Sequence, residues 1–150
     1  LRGLARYLKP GGSIIVAIEN RYGLQHFLGD AEHNDFRFAA LLPRALASAI
    51  NRLLRGEPYA TYTYSRGALQ NLARGAGLKP GALYMAYPSY QAARLVVHED
   101  TRYGQTVNFL GNMLPHHSWK WRIYRKMWRL LATLGLARAL APAYIIEAEK

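Results

Sequence analysis

The stretch ARYLKPGGSIIVAIEN, Ala5 to Asn20, decides how the chain is read. Its first part continues an apolar stripe of Leu1, Leu4, Ala5 and Leu8, whose spacing predicts the end of a helix. Lys9-Pro10-Gly11-Gly12 stops that helix, because proline cannot continue it and two glycines permit a sharp turn. Ile14-Ile15-Val16-Ala17-Ile18 is a short, continuous, β-branched run, which predicts a strand buried on both faces. It ends abruptly in Glu19-Asn20-Arg21. Polar residues at the C-terminal edge of a parallel strand lie where open α/β sheets bind ligands.

Working outward, residues 22–38 are mixed and contain glycine, which predicts a loop with short turns. Leu42, Ala45, Leu46, Ala49, Ile50 and Leu53 recur at helical spacing and predict a helix over 41–54, ended by Gly56 and Pro58. Thr61-Tyr62-Thr63-Tyr64 is an extended approach to Ser65, which caps a helix running to Arg74 and closed by Gly77. Strands are predicted over 82–87, 95–97 and 144–148. A helix is predicted over 119–140, with a break at Gly135. Strands alternating with helices predict an α/β fold in layers. The chain has 150 residues, enough for one domain. The first strand reads as central, yet nothing in the chain supplies neighbours on one of its sides. The chain also begins at Leu1 and not at a methionine. Both features predict one partial domain whose earlier half lies elsewhere.

Apolar residues make up 51% of the chain, a globular composition. There is no cysteine, which excludes disulfides, thiolate nucleophiles and cysteine zinc sites. No signal peptide opens the chain, and the apolar runs are too short to span a bilayer. These features predict a cytoplasmic protein. The formal charge of +11 attracts anions, whether nucleic acid, anionic lipid or phosphorylated molecules.

Three segments carry a family resemblance. ARYLKPGGSIIVAIEN (5–20) resembles the helix, turn and fifth strand of class I S-adenosylmethionine-dependent methyltransferases. TYSRGALQNLARGAGLKPGALYMAYP (63–88) resembles their last helix and sixth strand. APAYIIEAEK (141–150) resembles their seventh strand, which runs antiparallel between the fifth and sixth. The resemblance implies the C-terminal portion of a Rossmann-like methyltransferase sheet, with helical insertions over 21–60 and 98–141. ENRYGLQHFLGDAEHND (19–35) and YPSYQAARLVV (87–97) further resemble bacterial methyltransferases associated with glycosyltransferases of surface-polysaccharide biosynthesis. The chain departs from that group at Glu32-His33-Asn34, at Ser89 and at Gln91. The resemblance implies S-adenosylmethionine as cofactor. It also implies that the glycine-rich loop and the acidic residue that hold the cofactor belong to the missing half, so that this chain is incomplete as an enzyme by itself.

What remains is the acceptor side. Glu19 is the candidate proton acceptor at the strand edge, and His33, which titrates near neutral pH, is the candidate general base. Asn20 would orient the acceptor, or else tie down a loop. Arg21 suits bidentate contact with a phosphate or carboxylate, and Tyr22 follows it. Tyr87 and Tyr90 end the sixth-strand segment and would line the acceptor pocket with aromatic faces, or else pack a turn. His26 and His33, with Asp30, Glu32 and Asp35 nearby, match no metal-ligand spacing, so no metal site is expected.

Residues 119–134 form an amphipathic pattern on a helical wheel. Arg122, Arg125, Lys126 and Arg129 share one arc, with Ile123, Met127, Leu130 and Leu134 opposite and Trp121 and Trp128 at the boundary. That suits either contact with the surface of an anionic membrane through Trp121, Arg122, Arg125, Trp128 and Arg129, or a helix that covers the sheet. The membrane alternative predicts a peripheral place at the inner membrane surface. The function expected is methyl transfer to a small molecule or saccharide. A nucleic-acid methyltransferase is the first alternative, favoured by the charge, but the basic residues concentrate on one helix and no RNA-binding motif is present. A non-catalytic, membrane-associated interaction module is the second.

Overall fold

The computed structural model describes residues 1–29, 36–101 and 119–150. In chain order the elements are α1 (Arg2–Ala5), β1 (Ser13–Glu19), α2 (Leu24–Phe27), a 3-10 turn (Ala39–Leu41), α3 (Arg44–Arg55), α4 (Arg66–Gly75), β2 (Lys79–Tyr87), β3 (Leu95–His98), α5 (Trp119–Thr133) and β4 (Ala143–Glu149). The fold is mixed α/β, built on a four-stranded sheet in the order β1-β4-β2-β3. Every neighbouring pair is antiparallel. The last strand of the chain therefore lies between the first two, and β1 and β2 run parallel to each other on its flanks.

Local chemistry accounts for the element ends. Ser65 caps α4 by accepting a hydrogen bond from the Ala68 N–H at 3.4 Å. Gly135 adopts φ +70° and ends α5 where the break was predicted, so that residues 136–140 turn back towards β4. α3 starts later than its apolar periodicity implies because Pro43 occupies its N-cap.

The core lies on one face of the sheet. Register pairs Ile14 with Ala148, Val16 with Ile146 and Ile18 with Tyr144, so all six share that face. On β2 the register shifts by one residue between Pro80 and Leu83. This bulge turns Leu83, Met85 and Tyr87 inward to join Ile146, Tyr144 and Val97. Leu69 and Leu72 of α4 and Trp128, Leu131 and Ala132 of α5 close over them. The Trp128 ring meets Tyr87 edge-on, with centroids 5.4 Å apart at 84°.

Two expectations are corrected here. β1 is not buried on both faces. It ends the described sheet, and Ile15, which points away from α4 and α5, is 72% exposed. A continuous apolar run predicts burial, but no described element covers that second face at Ile15. Trp128 is not a membrane contact, since it is buried in the core. α5 lays Trp128, Leu131 and Ala132 on the sheet and turns the stripe of Ile123, Leu130 and Leu134 outward, at 55%, 59% and 59% exposure. Arg122, Lys126 and Arg129 are exposed and Arg125 half-buried, while the Trp121 side chain lies outside the described part. A helical wheel groups residues by direction without saying which apolar flank meets the sheet.

If Trp128 closes the core, Trp128→Ala lowers the unfolding free energy by about 3–5 kcal/mol. Leu130→Ala, on the exposed stripe of the same helix, changes it by about 0.5 kcal/mol or less. Urea unfolding of both variants checks this; a larger loss in Leu130→Ala than in Trp128→Ala would show that the helix packs by its other flank.

Candidate functional site

β1 delivers Glu19 to the end of the sheet, where Glu19 is only 7% exposed. Glu19 forms part of the wall of a cavity of about 630 Å³, with Tyr62, Tyr90, Asn51 and Arg55 among its other lining residues. Of the candidates predicted from sequence, Glu19 and Tyr90 are thus brought together. The segment carrying Tyr62 is held against β1 by backbone pairing. The Tyr64 N–H donates to the Glu19 carbonyl at 3.2 Å, and the Arg21 N–H donates to the Tyr64 carbonyl at 3.2 Å. This short parallel bridge covers the end of the outer edge of β1 and fixes residues 61–64 beside Glu19.

Asn20 is fully buried and acts as a brace. Its Nδ2 donates to the carbonyls of Ala139 and Ala141 at 2.7 and 2.8 Å, and its Oδ1 accepts from the Tyr22 N–H at 3.0 Å. Both amide hydrogens are occupied, which leaves no donor to orient an acceptor, so of the two roles considered for Asn20 the geometry matches loop stabilisation. Tyr87, expected as a pocket wall, is a core residue against Trp128; the inward turn of β2 after its bulge carries it away from the cavity. Tyr22 is half-exposed and lines a separate cavity of about 270 Å³ with Arg66, Glu99, Arg138 and Tyr144. Arg66 and Glu99 form an ion pair at its rim. His33, with Asp30, Glu32 and Asp35, lies outside the described residues. His26 is buried in α2.

Arg21 lines a third cavity, also about 270 Å³, shared with Arg44, Thr61, Thr63 and Ser65. Its Nη2 donates to the Leu42 carbonyl at 2.7 Å. Arg44 donates to the carbonyls of Thr61 and Tyr59 at 2.9 and 3.0 Å and lies over the Tyr62 ring at 3.8 Å.

Three residues of this region were not singled out from sequence. Asn51 shares with Ala47 the face of α3 that packs inward, and its Nδ2 donates to the Glu57 carbonyl at 3.0 Å. Its spacing of four from Ala47 was a legible signal, because i and i+4 share a helix face. Tyr62 and Arg44 carried no comparable signal, since their contact joins an extended segment to a helix start.

Among the described residues, the elements that would hold S-adenosylmethionine do not fit that group. Gly11 and Gly12 turn into β1, and Gly75 and Gly77 lie at the end of α4 and just beyond it, so neither pair follows a strand. Among the described residues no group of His, Cys, Asp and Glu is arranged to hold a metal, and no helix is long and apolar enough to cross a membrane. No known protein family, curated protein or solved structure matches this chain.

Tyr144 reaches the same segment that Asn20 braces. Its hydroxyl donates to the Arg138 carbonyl at 2.9 Å. Burial pushes its phenol up from 10.0 to about 12, with Arg66 opposing and Glu99 adding to the shift. The unfolded phenol ionises near its ordinary value, so this contribution to stability is whole below about pH 10 and lost as pH rises towards 12. A shift of this size corresponds to about 2–3 kcal/mol. Denaturant midpoints between these pH values should fall steeply in the wild type and less steeply in Tyr144→Phe. Asn20→Ala, which removes the donor from the buried Ala141 carbonyl and one of the two donors to the part-buried Ala139 carbonyl, should cost about 1–3 kcal/mol at neutral pH.

Proposed function

We propose that the chain forms the acceptor side of an S-adenosylmethionine-dependent methyltransferase acting on a hydroxyl of a small molecule or saccharide. The observation that carries this reading is Glu19, a largely buried residue at the end of β1 set in the wall of a cavity beside Tyr62 and Tyr90. Further support comes from the last strand lying antiparallel between β1 and β2, the position that the seventh strand takes in the family resembled. The open face and outer edge of β1 suit neighbours supplied by an earlier half of the domain.

The cofactor would supply the methyl group and would be held by an N-terminal half beyond this chain. The residues of this chain do the rest. Tyr62 and Tyr90 offer ring faces against which a sugar can lie, and partial enclosure of the acceptor limits competing water. Glu19 accepts the proton of the acceptor hydroxyl at its carboxylate oxygen. Asn20 acts through the backbone, holding the strand end that carries Glu19.

Binding of S-adenosylmethionine, measured by calorimetry, tests the reading. The chain alone should not bind it, and a form extended on the N-terminal side should. In that longer form Glu19→Gln should lower kcat for methyl transfer to a saccharide by about 100-fold or more, with KM changed much less. No binding by either form would sink the assignment.

A second reading is favoured by one observation, the outward apolar stripe of Ile123, Leu130 and Leu134 beside exposed Arg122, Lys126 and Arg129. Its chemistry complements an anionic lipid surface, with the apolar stripe entering the headgroup boundary and the cations meeting phosphates. α5 then holds the protein peripherally at a membrane, with or without catalysis. Co-sedimentation with phosphatidylglycerol vesicles should be weakened at least about tenfold by Leu130→Glu and should weaken as salt rises. Equal binding by the variant removes this reading.

A further inference from the structure

We propose that the cavity between Arg21 and Arg44 is a phosphoryl-binding subsite, and that the acceptor is a phosphorylated saccharide. Naming the saccharide rests on the methyl-transfer reading above; the anion site itself does not. The cavity measures about 270 Å³ and is lined by Arg21 and Arg44 and by the hydroxyl-bearing Thr61, Thr63 and Ser65, with no acidic residue in its lining. In a chain with a formal charge of +11, a pocket of this kind concentrates anions.

The two arginines are pre-set. Each guanidinium carries five N–H donors in a fixed fork. One Arg21 donor is anchored on the Leu42 carbonyl, and its buried Nε has no hydrogen-bond partner among the described residues. A buried N–H without a partner is costly and is relieved by an anionic acceptor. Arg44 is anchored by the carbonyls of Tyr59 and Thr61 and by the Tyr62 ring, so little side-chain freedom remains to be lost on binding.

This cavity and the larger one at Glu19 share Thr61 and Tyr62 in their walls. A sugar lying against Tyr62 with a hydroxyl towards Glu19 would carry its phosphoryl group to Arg21 and Arg44 on the other side of the same segment. The subsite would then orient the acceptor by its charge and hold the hydroxyl in place.

The test uses the purified chain without cofactor. Glucose 1-phosphate, inorganic phosphate and glucose are titrated by calorimetry, and the amide NMR shifts of the wild type are followed in parallel. Glucose 1-phosphate should bind saturably, inorganic phosphate more weakly, and glucose not measurably. Arg21→Gln should weaken the phosphorylated sugar at least about tenfold. Arg74→Gln removes the same charge from the far end of α4 and should change binding by less than about twofold. Should Arg21→Gln fail to fold, the shift map decides: perturbed amides at Arg21, Thr61, Thr63 and Ser65 support the site. Perturbation centred instead on 122–129, or equal weakening by Arg21→Gln and Arg74→Gln, overturns it. Arg21-dependent binding in a protein whose longer form methylates nothing leaves the anion site standing and removes the methyl-transfer reading. Methylation of neutral sugars with no binding of phosphorylated ones does the reverse.

Discussion

The structure depends on the insertion of β4 between β1 and β2. β4 is the last strand of the chain, and it pairs along its length with β1 and, across the bulge, with β2. Without it the two earlier strands have no common partner, and the apolar faces of α4 and α5 have no continuous sheet to cover. The approach to β4 is accordingly braced. Asn20 and Tyr144 reach it from β1 and from β4 itself, converging on the carbonyls of residues 138–141. At the other end, the Lys150 backbone pairs with Gly11 and Gly12, and its Nζ donates to the Leu8 carbonyl. Both ends of the inserted strand are therefore tied to the turns that flank β1.

That constraint also forms the candidate site. Because Asn20 is committed to the segment before β4, Glu19 is held at the sheet end, and the Tyr64 bridge brings residues 61–64 alongside it. Backbone pairing between segments some forty residues apart in sequence sets Glu19 and Arg21 beside residues 61–64, Arg44 is held there through its side chain, and Tyr90 joins the cavity at Glu19 from beyond β2. The site is braced on the β1 side by hydrogen bonds from Asn20 and Arg21 to backbone carbonyls. It is more open on the α3 side, where Arg55 and Tyr62 are exposed.

Much of the element pattern was legible. The β-branched run after Gly12, the Ser65 cap and the break at Gly135 are local chemistry, and each appears where its residues stand, whereas the first helix ends at Ala5, before the Pro10-Gly11-Gly12 turn is reached. Of the site, Glu19 and Tyr90 were legible as strand-end residues that meet at one cavity. Asn20 and Tyr87 were legible as important positions, but what they do depends on distant partners, Ala139 and Ala141 at 119 and 121 residues from Asn20 and Trp128 well beyond β3 for Tyr87.

By itself the sequence determined the order and type of the main strands and helices, the absence of cysteine chemistry, the strong positive charge and the polar edge that follows the first strand, while several element ends were moved by their neighbours. Only the tertiary structure decided which face of each element is covered. Ile15 and the stripe of Ile123, Leu130 and Leu134 are as apolar as Val16 and Leu131, yet the first group faces outward and the second is packed against the core. The physical reason is that periodicity reports the direction of a side chain relative to its own element. Burial is a property of what lies opposite, and that is set here by the one-residue bulge in β2 and by the placement of β4.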